Sequence, residues 1–530
     1  MIRSLLLFAL IAGAIGLVWH GLGQPVPMPL SPLPAGEKLT CVSYTPFHGD
    51  QAPFSKPHIP DEQIAEDMER LAGLTSCVRT YASAGPERNV PEHASRHDLK
   101  VLQGIWLSRD KAENRREIEA ALELARRNPE TIEALIVGNE ALLRGELSAG
   151  QVEAYLEEVR TRSRRPVTYA DVWEFWLKAP ELAAATDFLT IHILPYWEDD
   201  PVSAQHAVAH VHEARRRIEE AFPGKAIWIG EVGWPSAGRM RERALPSPAN
   251  QARVLSGVVA AAKEEGWKVN LIEAFDQPWK RQLEGTVGGN WGLFDNVHRE
   301  PKFRFGEPVS NHPRWRLVAS LGIVAAFLVF FSAWLGGSGQ RQRQKDAAVA
   351  GMALASGLIF GWAALKLPQE DILPGDQLQG TILLVLALVV PMAAAFAVAS
   401  GDRLHGFATA LDPSSWRRHD SISLILAGLL VLAVVMAMQA GLGLVFDSRY
   451  KDFPFASLTG PVMALAILAF TSANTPLRLG VAEIAAATVL SGSALFIIVN
   501  EGIANWQALW FASLLVVLGL TVLRVRAAPG

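Results

Sequence analysis

Seven apolar runs in the second half of the chain constrain its fold more than any other feature. They cover roughly residues 317–335, 347–366, 380–400, 421–445, 457–472, 480–499 and 506–523. A helix that crosses a membrane needs about 20 predominantly apolar residues, and these runs reach or approach that length. Residues up to about 310 are instead charged and mixed. The sequence therefore predicts a soluble domain followed by a transmembrane domain of about seven helices over residues 311–530.

A further apolar segment covers residues 1–20. Arg3 precedes a run that continues to about Trp19, and no clear small-residue cleavage site follows it. This pattern favours a retained signal anchor over a cleaved signal peptide, and under either alternative the residues that follow are exported. The proline-rich stretch over residues 21–37 is expected to be an extended linker that tethers the next domain.

The charges between the apolar runs predict how the helices are oriented. Basic residues lie in alternate connections and in the tail: Arg341, Arg343, Lys345, Arg403, Arg417, Arg418, Arg478, Arg524 and Arg526. Basic connections stay on the cytoplasmic side of a membrane. The C-terminus is therefore expected inside and the soluble domain outside. Few charges fall within the runs, so the sequence indicates no proton relay or ion pathway.

Residues 38–310 alternate between strand-like and helix-like patterns. The strand-like runs are residues 39–47, 76–82, 100–108, 133–140, 166–173, 187–197, 225–234 and 268–279. Between them lie stretches with apolar residues at three- and four-residue spacing, which is typical of helices. Eight such repeats in about 270 residues are typical of a (β/α)8 TIM barrel, whose active site lies at the carboxyl ends of its strands. The predicted fold class is α/β, a TIM barrel followed by an all-α multi-span transmembrane domain.

Two glutamates stand at the ends of strand-like runs. Glu140 ends the stretch ALIVGNE, and Glu231 follows the apolar residues of IWIGEVGWPS. Two carboxyl groups about 5 Å apart are what the cleavage of a glycosidic bond with retention requires. Asn139 beside Glu140 suits an acid/base, because the amide can hold a sugar hydroxyl next to the acid. The tight aromatic turn after Glu231 suits a nucleophile.

Other residues at strand ends are candidates for binding a sugar. Aromatic rings stack on the apolar faces of sugars, and acidic side chains accept hydrogen bonds from hydroxyl pairs. The candidate substrate-binding residues are Asn139, Arg79, Tyr81, Asp171, Trp173, Tyr196, Trp234, Glu273, Asp276, Trp279 and Lys280. For each aromatic residue, packing at the rim of the barrel is the alternative.

Four further observations limit the chemistry and the partners. His192 lies within a strand and is interpreted as a core residue rather than a catalytic one. An exported domain permits a disulfide between Cys41 and Cys77, but two buried thiols are favoured, because side chains on neighbouring strands rarely meet disulfide geometry. No metal site is predicted, since the histidines of HVH at residues 210–212 point apart on a helix. The net charge of −4 gives no indication of a nucleic-acid partner.

These motifs resemble those of glycoside hydrolase family 17, the β-1,3-glucanase and glucanosyltransferase family. Asn139 and Glu140 resemble the family's VGNE motif, which carries the acid/base, and Glu231 in EVGWPS resembles its nucleophile motif. The resemblance covers about residues 38–308 and implies a retaining mechanism through a covalent glycosyl-enzyme, with no cofactor. Similar stretches are residues 43–53, 78–82 and 273–280.

A barrel of this family joined to several spans is similar to bacterial proteins associated with periplasmic β-1,3/1,6-glucan synthesis. That resemblance implies a β-glucan transglycosylase of the bacterial inner membrane, multi-pass in the lipid bilayer, with its catalytic domain in the periplasm. It would act on β-1,3-glucan oligosaccharides or polysaccharides and form β-1,6 linkages, with a membrane glucan synthase as a candidate partner. Two alternatives stay open: a membrane-tethered β-1,3-glucanase, and a non-catalytic sugar-binding module of a membrane sensor or transporter.

Overall fold

The structure is a computed structural model that describes residues 2–337, 342–370, 374–412, 421–471 and 480–525. It divides into two compact units. The barrel unit comprises Val26–Gly238 and Arg243–Val309, and the helical unit comprises Met1–Pro25, Arg239–Glu242 and Ser310–Gly530. Each unit has a large hydrophobic core of its own.

The barrel unit contains a closed barrel of eight parallel strands in sequence order. The strands are β1 (Cys41–Ser43), β2 (Cys77–Arg79), β3 (Lys100–Ile105), β4 (Ile132–Asn139), β5 (Val167–Val172), β6 (Leu189–Ile193), β7 (Ile227–Val232) and β8 (Lys268–Leu271). Strand β1 pairs with both β2 and β8, which closes the sheet. The predicted TIM barrel is confirmed, and each predicted strand overlaps an observed one.

Helices alternate with these strands. Helix α1 (Ile2–Leu22) precedes the barrel and belongs to the helical unit. The helices of the barrel unit are α2 (Asp61–Ala72), α3 (Val90–Ser95), α4 (Lys111–Arg127), α5 (Ala149–Arg162), α6 (Trp173–Lys178), α7 (Ala207–Ala221), α8 (Pro248–Glu265) and α9 (Arg281–Gly288). Local sequence fixes several starts. The Asp110 side chain accepts hydrogen bonds from the first backbone N–H groups of α4, and Ser148 and Gln151 form a capping box on α5.

Cys41 and Cys77 form a disulfide, so the prediction of two buried thiols is wrong. Strands β1 and β2 are parallel neighbours, and their register pairs Val42 with Val78. This register places the two cysteines directly opposite each other, with Cα atoms 4.4 Å apart. That separation is within the range that a disulfide spans.

The proline-rich segment before the barrel contacts the folded domain. The N–H of Val26 donates to the carbonyl of Val309 at 2.8 Å, and the N–H of Val309 donates back at 3.0 Å. Both valines pack with Ala249 and Ala252 on α8. The two ends of the barrel unit are therefore tied together by a short antiparallel bridge.

The helical unit continues after the barrel with α10 (Trp315–Leu335), α11 (Gln342–Glu370), α12 (Pro374–Ser400), α13 (Phe407–Leu411), α14 (Ser421–Phe446), α15 (Phe455–Thr471), α16 (Val481–Glu501) and α17 (Trp506–Arg524). By length and composition, seven described helices could cross a membrane: α1, α10, α11, α12, α14, α16 and α17. Helix α15 is apolar but shorter, with 17 residues. The orientation prediction also uses basic residues that lie outside the described residues: Arg341, Arg417, Arg418, Arg478, Arg526 and the side chain of Arg343.

Small residues let the helices of this unit approach closely. A Cβ atom added to Gly322 on α10 would lie 2.0 Å from the carbonyl oxygen of Gly357 on α11. Only a residue without a side chain fits such a contact. Close packing through glycine is a common way in which helices associate in lipid, where hydrophobic burial between helices supplies little driving force.

Replacing both Cys41 and Cys77 with alanine tests the disulfide. The bond links positions 36 residues apart, and loss of such a link is expected to lower the free energy of unfolding by about 3 kcal/mol. We expect a lower denaturation midpoint for the double variant in detergent. Before reduction, the unfolded native chain should react with no maleimide, as read by mass spectrometry. Two maleimide additions without reductant would contradict the assignment.

Candidate active site

The two predicted catalytic glutamates meet at the carboxyl end of the barrel. Glu140 directly follows β4, and Glu231 lies in β7. A carboxylate oxygen of each lies within 4.8 Å of the other and of a ring nitrogen of His192. Retaining glycosidases hold their carboxyl groups about 5 Å apart, whereas inverting enzymes separate them by about 6.5–9.5 Å to admit a water. The spacing therefore fits retaining chemistry.

An irregular strand end positions Glu140. The pairing of β4 with β5 shifts register between Ile136 and Asn139, and Gly138 has a φ of 92°. Glu140 itself has a φ of 52°, in the left-handed region that residues with side chains rarely adopt. Its N–H donates to the carbonyl of Ala170 at 2.8 Å, which fixes this turn. Such strained residues are concentrated at functional sites.

Glu231 is held as a buried anion. Its Oε1 accepts a hydrogen bond from Nη1 of Arg79 at 2.7 Å and from the Tyr81 hydroxyl at 2.9 Å. The side chain is only 5% exposed. Burial acts to raise the pKa of Glu231, but the electrostatic interactions with His192 and Arg79 outweigh it and hold this pKa below its usual value. An ionised and oriented carboxylate is what a nucleophile requires.

Arg79 joins the nucleophile to the residue beside the acid/base. Its Nη1 also donates to the carbonyl of Gly230 at 3.1 Å, and its Nη2 donates to Oδ1 of Asn139. Its guanidinium lies over the Tyr81 ring, 4.6 Å from the centroid. The side chain is almost completely buried. A buried charge is stable only when it is paired and hydrogen-bonded, so this network fixes both partners.

His192 lies between the two glutamates. The prediction that it is buried in the core is confirmed, and its position beside both carboxylates gives it a candidate role in the site that was not predicted. Its Nδ1 is 2.8 Å from Oε1 of Glu140, and its Nε2 is 3.8 Å from Oε1 of Glu231. The register of β6 with β7 pairs His192 with Glu231. The ring is completely buried, as a core residue would be. The signal in the sequence was a polar residue near the carboxyl end of an apolar strand.

Two further predicted acids lie next to the catalytic pair. Oε1 of Glu273 is 2.7 Å from Nζ of Lys280, and among the described residues its Oε2 has no hydrogen-bond partner. Burial raises the pKa of Glu273 to about 7, although Lys280 opposes the shift. Burial also raises the pKa of Asp171 to about 6, although the hydrogen bond from the Tyr169 hydroxyl opposes this. A buried, unpaired acceptor such as Oε2 of Glu273 is suited to a sugar hydroxyl.

The predicted aromatic residues are not equally accessible. Tyr196 and Trp234 are completely buried and pack against each other, and Tyr196 also packs against Trp291. Trp173 is also buried, with its indole N–H donating to Glu198 at 3.2 Å. Trp279 is half-buried at the rim. Trp279 is therefore placed to meet a sugar, whereas contact with the buried rings would require them to move, and those binding roles stay predictions.

The side chain of Asp276 forms hydrogen bonds within the barrel unit. Its Oδ1 accepts hydrogen bonds from Nζ of Lys302 at 2.7 Å and from the N–H of Gly292 at 2.8 Å. The same ammonium donates to Oγ of Ser236 at 2.8 Å. Asp276 therefore braces the loop that follows β7, and its predicted contact with a sugar stays a prediction.

Sequence reasoning missed residues on loops and on one short helix. Glu284 on α9 is close enough to the site for the charges of Glu140 and Glu231 to raise its pKa, although its own burial is the larger cause. Trp106, directly after β3, is 38% exposed and carries the Arg144 guanidinium 4.3 Å from its ring. Neither residue stands in a motif, so no local pattern indicated it.

Glu140, His192 and Glu231 also form a group of described residues whose donor atoms could surround a metal ion. The Arg79 guanidinium already lies 2.7 Å from Glu231. A cation at this distance favours a carboxylate paired with arginine over one coordinated to a metal. That the chemistry needs no metal and no organic cofactor stays a prediction.

The chain is similar to known glycosidases. The family model of the BtgE/BtgC glycoside hydrolase domain matches residues 41–292. The glucan 1,3-beta-glucosidase of Saccharomyces cerevisiae is 25% identical over 250 residues, covering 43% of this chain and 80% of that protein. A glucan 1,3-beta-glucosidase of Candida albicans is 26% identical, covering 43% and 82%. The glycoside hydrolase family 17 beta-1,3-glucanosyltransferase from Rhizomucor miehei is 23% identical with a TM-score of 0.44, covering 50% and 95%.

Replacing His192 with glutamine tests its place in the site. The change removes the imidazole beside Glu140 and its electrostatic interaction with Glu231, so glycoside cleavage should slow by about 100-fold. Without that interaction the pKa of Glu231 rises, and the acid limb of the kcat/KM profile should move to higher pH. A pH–rate series with matched melting temperatures measures both effects. An unchanged acid limb would contradict this role.

The matched family model covers all eight strands of the barrel and contains Glu140, His192 and Glu231. The curated relatives match over 43% of the chain. The barrel of this chain is therefore similar in sequence to the BtgE/BtgC glycoside hydrolase domain.

Proposed function

We propose that the barrel is a retaining β-glucan transglycosylase that acts on β-1,3-glucan through a covalent glycosyl-enzyme. The observation that carries this proposal is the pair of carboxylates within 4.8 Å of each other, one buried beside an arginine and the other partly exposed. Glu231 is the proposed nucleophile, and Glu140 is the proposed acid/base. The partial exposure of Glu140, 21% of its side chain, gives a glycosidic oxygen access to it.

In the first step, Glu231 attacks the anomeric carbon while Glu140 gives its proton to the departing glycosidic oxygen. The bond to that oxygen breaks as an ester to Glu231 forms. In the second step, Glu140 takes a proton from an incoming hydroxyl group, which attacks the anomeric carbon and releases Glu231 as a carboxylate. The negative charge of Glu231 lies near Glu140 before the first step and is lost when Glu231 forms the ester. Glu140 can therefore act first as an acid and then as a base without any other change.

Arg79 and Tyr81 stabilise the carboxylate of Glu231 before and after the reaction. Their hydrogen bonds to Oε1 leave Oε2 as the atom for attack. Because Arg79 also donates to Asn139, which precedes Glu140, the relative position of the two catalytic residues is set by one buried side chain. Preorganised groups of this kind need no rearrangement as charge develops.

Whether a sugar or water completes the reaction decides between transfer and hydrolysis. The seven apolar helices support transfer, because a tethered enzyme suits the remodelling of a polymer made at the membrane. The curated relatives named glucan 1,3-beta-glucosidases support the second candidate, a membrane-tethered β-1,3-glucanase. For transfer, we propose a sugar hydroxyl as the acceptor and a new β-1,6 linkage in periplasmic glucan synthesis, with a membrane glucan synthase as the partner.

Incubation of the intact protein with a laminari-oligosaccharide of defined length tests the proposal. We expect products longer than the substrate with new β-1,6 linkages, which mass spectrometry and NMR detect. Shorter products alone would favour the glucanase. Glu231→Gln should reduce consumption of substrate by at least about 1,000-fold, because an amide cannot form the ester. Equal consumption by this variant would contradict the assigned nucleophile.

For location, we propose a multi-pass protein of a bacterial inner membrane with the barrel in the periplasm. Helix α12 should then have its N-terminal end outside and its C-terminal end in the cytoplasm. Single cysteines at Gln377 and Asp402 mark these two ends, and the native cysteines are joined to each other. In spheroplasts, an impermeant maleimide should label the Gln377→Cys variant only. Asp402→Cys should be labelled only after permeabilisation, and the reverse pattern would contradict the orientation.

A further inference from the structure

Two buried carboxylates bind the backbone of the loop that follows β2. Oε2 of Glu87 accepts hydrogen bonds from the N–H groups of Tyr81 at 2.7 Å and Ala82 at 3.0 Å. Glu117 accepts from the next two, with Oε2 bound to Ser83 at 2.7 Å and Oε1 bound to Ala84 at 2.9 Å. Two carboxylates therefore bind four consecutive backbone N–H groups. The four residues are called the Tyr81–Ala84 loop.

Glu117 also reaches the next strand. Its Oε2 accepts from the N–H of Trp106 at 3.2 Å, directly after β3. Glu117 projects from the middle of α4, and Glu87 lies in the short 3-10 turn of Pro86–Asn89. One side chain of the outer helix layer therefore ties together the carboxyl ends of β2 and β3, which carry Tyr81 and Trp106.

These carboxylates are not explained by ion pairing. Both residues are about 5% exposed, and among the described residues neither forms a salt bridge. Burial raises the pKa of Glu87 to about 8 and raises the pKa of Glu117 above its usual value, while the backbone N–H donors oppose both shifts. Buried carboxyl groups are unfavourable without such compensation. Their position is therefore determined by the N–H groups of the loop.

The loop decides where the Tyr81 hydroxyl lies. Glu87 fixes the backbone end of Tyr81, and the other end donates to Glu231 at 2.9 Å. The ring between these ends faces the Arg79 guanidinium at 4.6 Å. A hydrogen bond weakens steeply as its geometry departs from ideal, so a shift of the loop by about 1 Å would be felt at the nucleophile.

We propose that Glu117, together with Glu87, is a positioning residue that sets the Tyr81 hydroxyl against Glu231 and acts on catalysis through Tyr81. The alternative is a purely structural staple, whose loss would lower stability without acting through the tyrosine. This inference rests on the proposed glucan activity only because that activity supplies the assay. Total consumption of substrate is followed, so that hydrolysis and transfer count alike.

A double-mutant cycle with Glu117→Gln and Tyr81→Phe separates the alternatives, because residues that act through one another give non-additive effects. Glutamine keeps one carbonyl acceptor but replaces the other oxygen with an N–H donor that repels the loop. We expect Glu117→Gln to lower kcat about tenfold with KM changed less than about twofold, and the double variant to match Tyr81→Phe within about twofold. The proposal would be overturned if the effects of the two substitutions on kcat multiplied in the double variant, or if Glu117→Gln kept the wild-type kcat.

Glu123→Gln is the matched control. Glu123 lies on the same helix and is paired with Arg88 and Arg127 near the surface, so its kcat should stay within about twofold of wild type. Melting temperatures report folding for every variant. If Glu117→Gln does not fold, Glu87→Gln takes its place, because Glu87 binds the N–H of Tyr81 itself.

If the wild-type protein consumes no glucan, the proposed function fails rather than this inference. The same cycle is then read from the rate at which an activated 2-deoxy-2-fluoroglucoside labels Glu231. This rate reports attack by the nucleophile alone. The expected pattern of non-additive losses is unchanged, and additive losses would overturn the proposal in this assay as well.

Discussion

The buried ion pair between Arg79 and Glu231 is the interaction on which the site depends. Strands β2 and β7 are not neighbours, since β1 and β8 lie between them, so the pair spans the inside of the barrel. Removing two charges from water is unfavourable, and the attraction between them compensates only when the geometry is good and the remaining groups are satisfied. Nη1 and Nη2 of Arg79 bind Glu231, Gly230 and Asn139, whereas its Nε has no hydrogen-bond partner among the described residues. The closed sheet supplies the rigid frame that holds all of these groups at once.

The same pair explains how two similar carboxylates take different roles. Glu231 is surrounded by cationic and hydroxyl donors, whereas Glu140 is contacted by His192 and is more exposed. Different surroundings drive acidic groups towards different protonation states. His192 lies beside both residues, with its Nδ1 2.8 Å from Glu140 and its Nε2 3.8 Å from Glu231. Burial raises the pKa of the nearby acids Glu273 and Asp171, and both acids give a sugar additional acceptors.

The sequence predicted the barrel and the convergence of Glu140 and Glu231 because both are encoded locally. Alternation of strands and helices requires only nearby residues, and a glutamate at a strand end is placed on the active face by the fold itself. The Cys41–Cys77 bond depends on the register between strands, which no local pattern specifies. The burial of His192 was predicted, but its position between Glu140 and Glu231 depends on how the strands are arranged in the closed sheet. Glu117 lies in the middle of an outer helix, so only the folded structure brings it to the Tyr81–Ala84 loop.

The helices of the helical unit pack differently from the elements of the barrel unit. These helices are apolar on nearly all sides, and glycines such as Gly322 allow close contact between backbones. A described glutamate on α16, Glu483, is completely buried and accepts a hydrogen bond from the N–H of Ala408 at 2.7 Å, which caps α13. Such contacts pack the described helices against one another, and they fit the proposal that these helices hold the enzyme at a membrane.

The stereochemistry of the first product tests the central claim most directly, because it follows from the distance between Glu140 and Glu231. Proton NMR of the anomeric signals during early turnover of a β-1,3-linked oligosaccharide measures it. Carboxylates within 4.8 Å of each other predict release or transfer of the sugar as the β-anomer, with the α-anomer appearing only later by mutarotation. If the α-anomer forms first, the reaction inverts, and the assignment of Glu231 as a covalent nucleophile is contradicted.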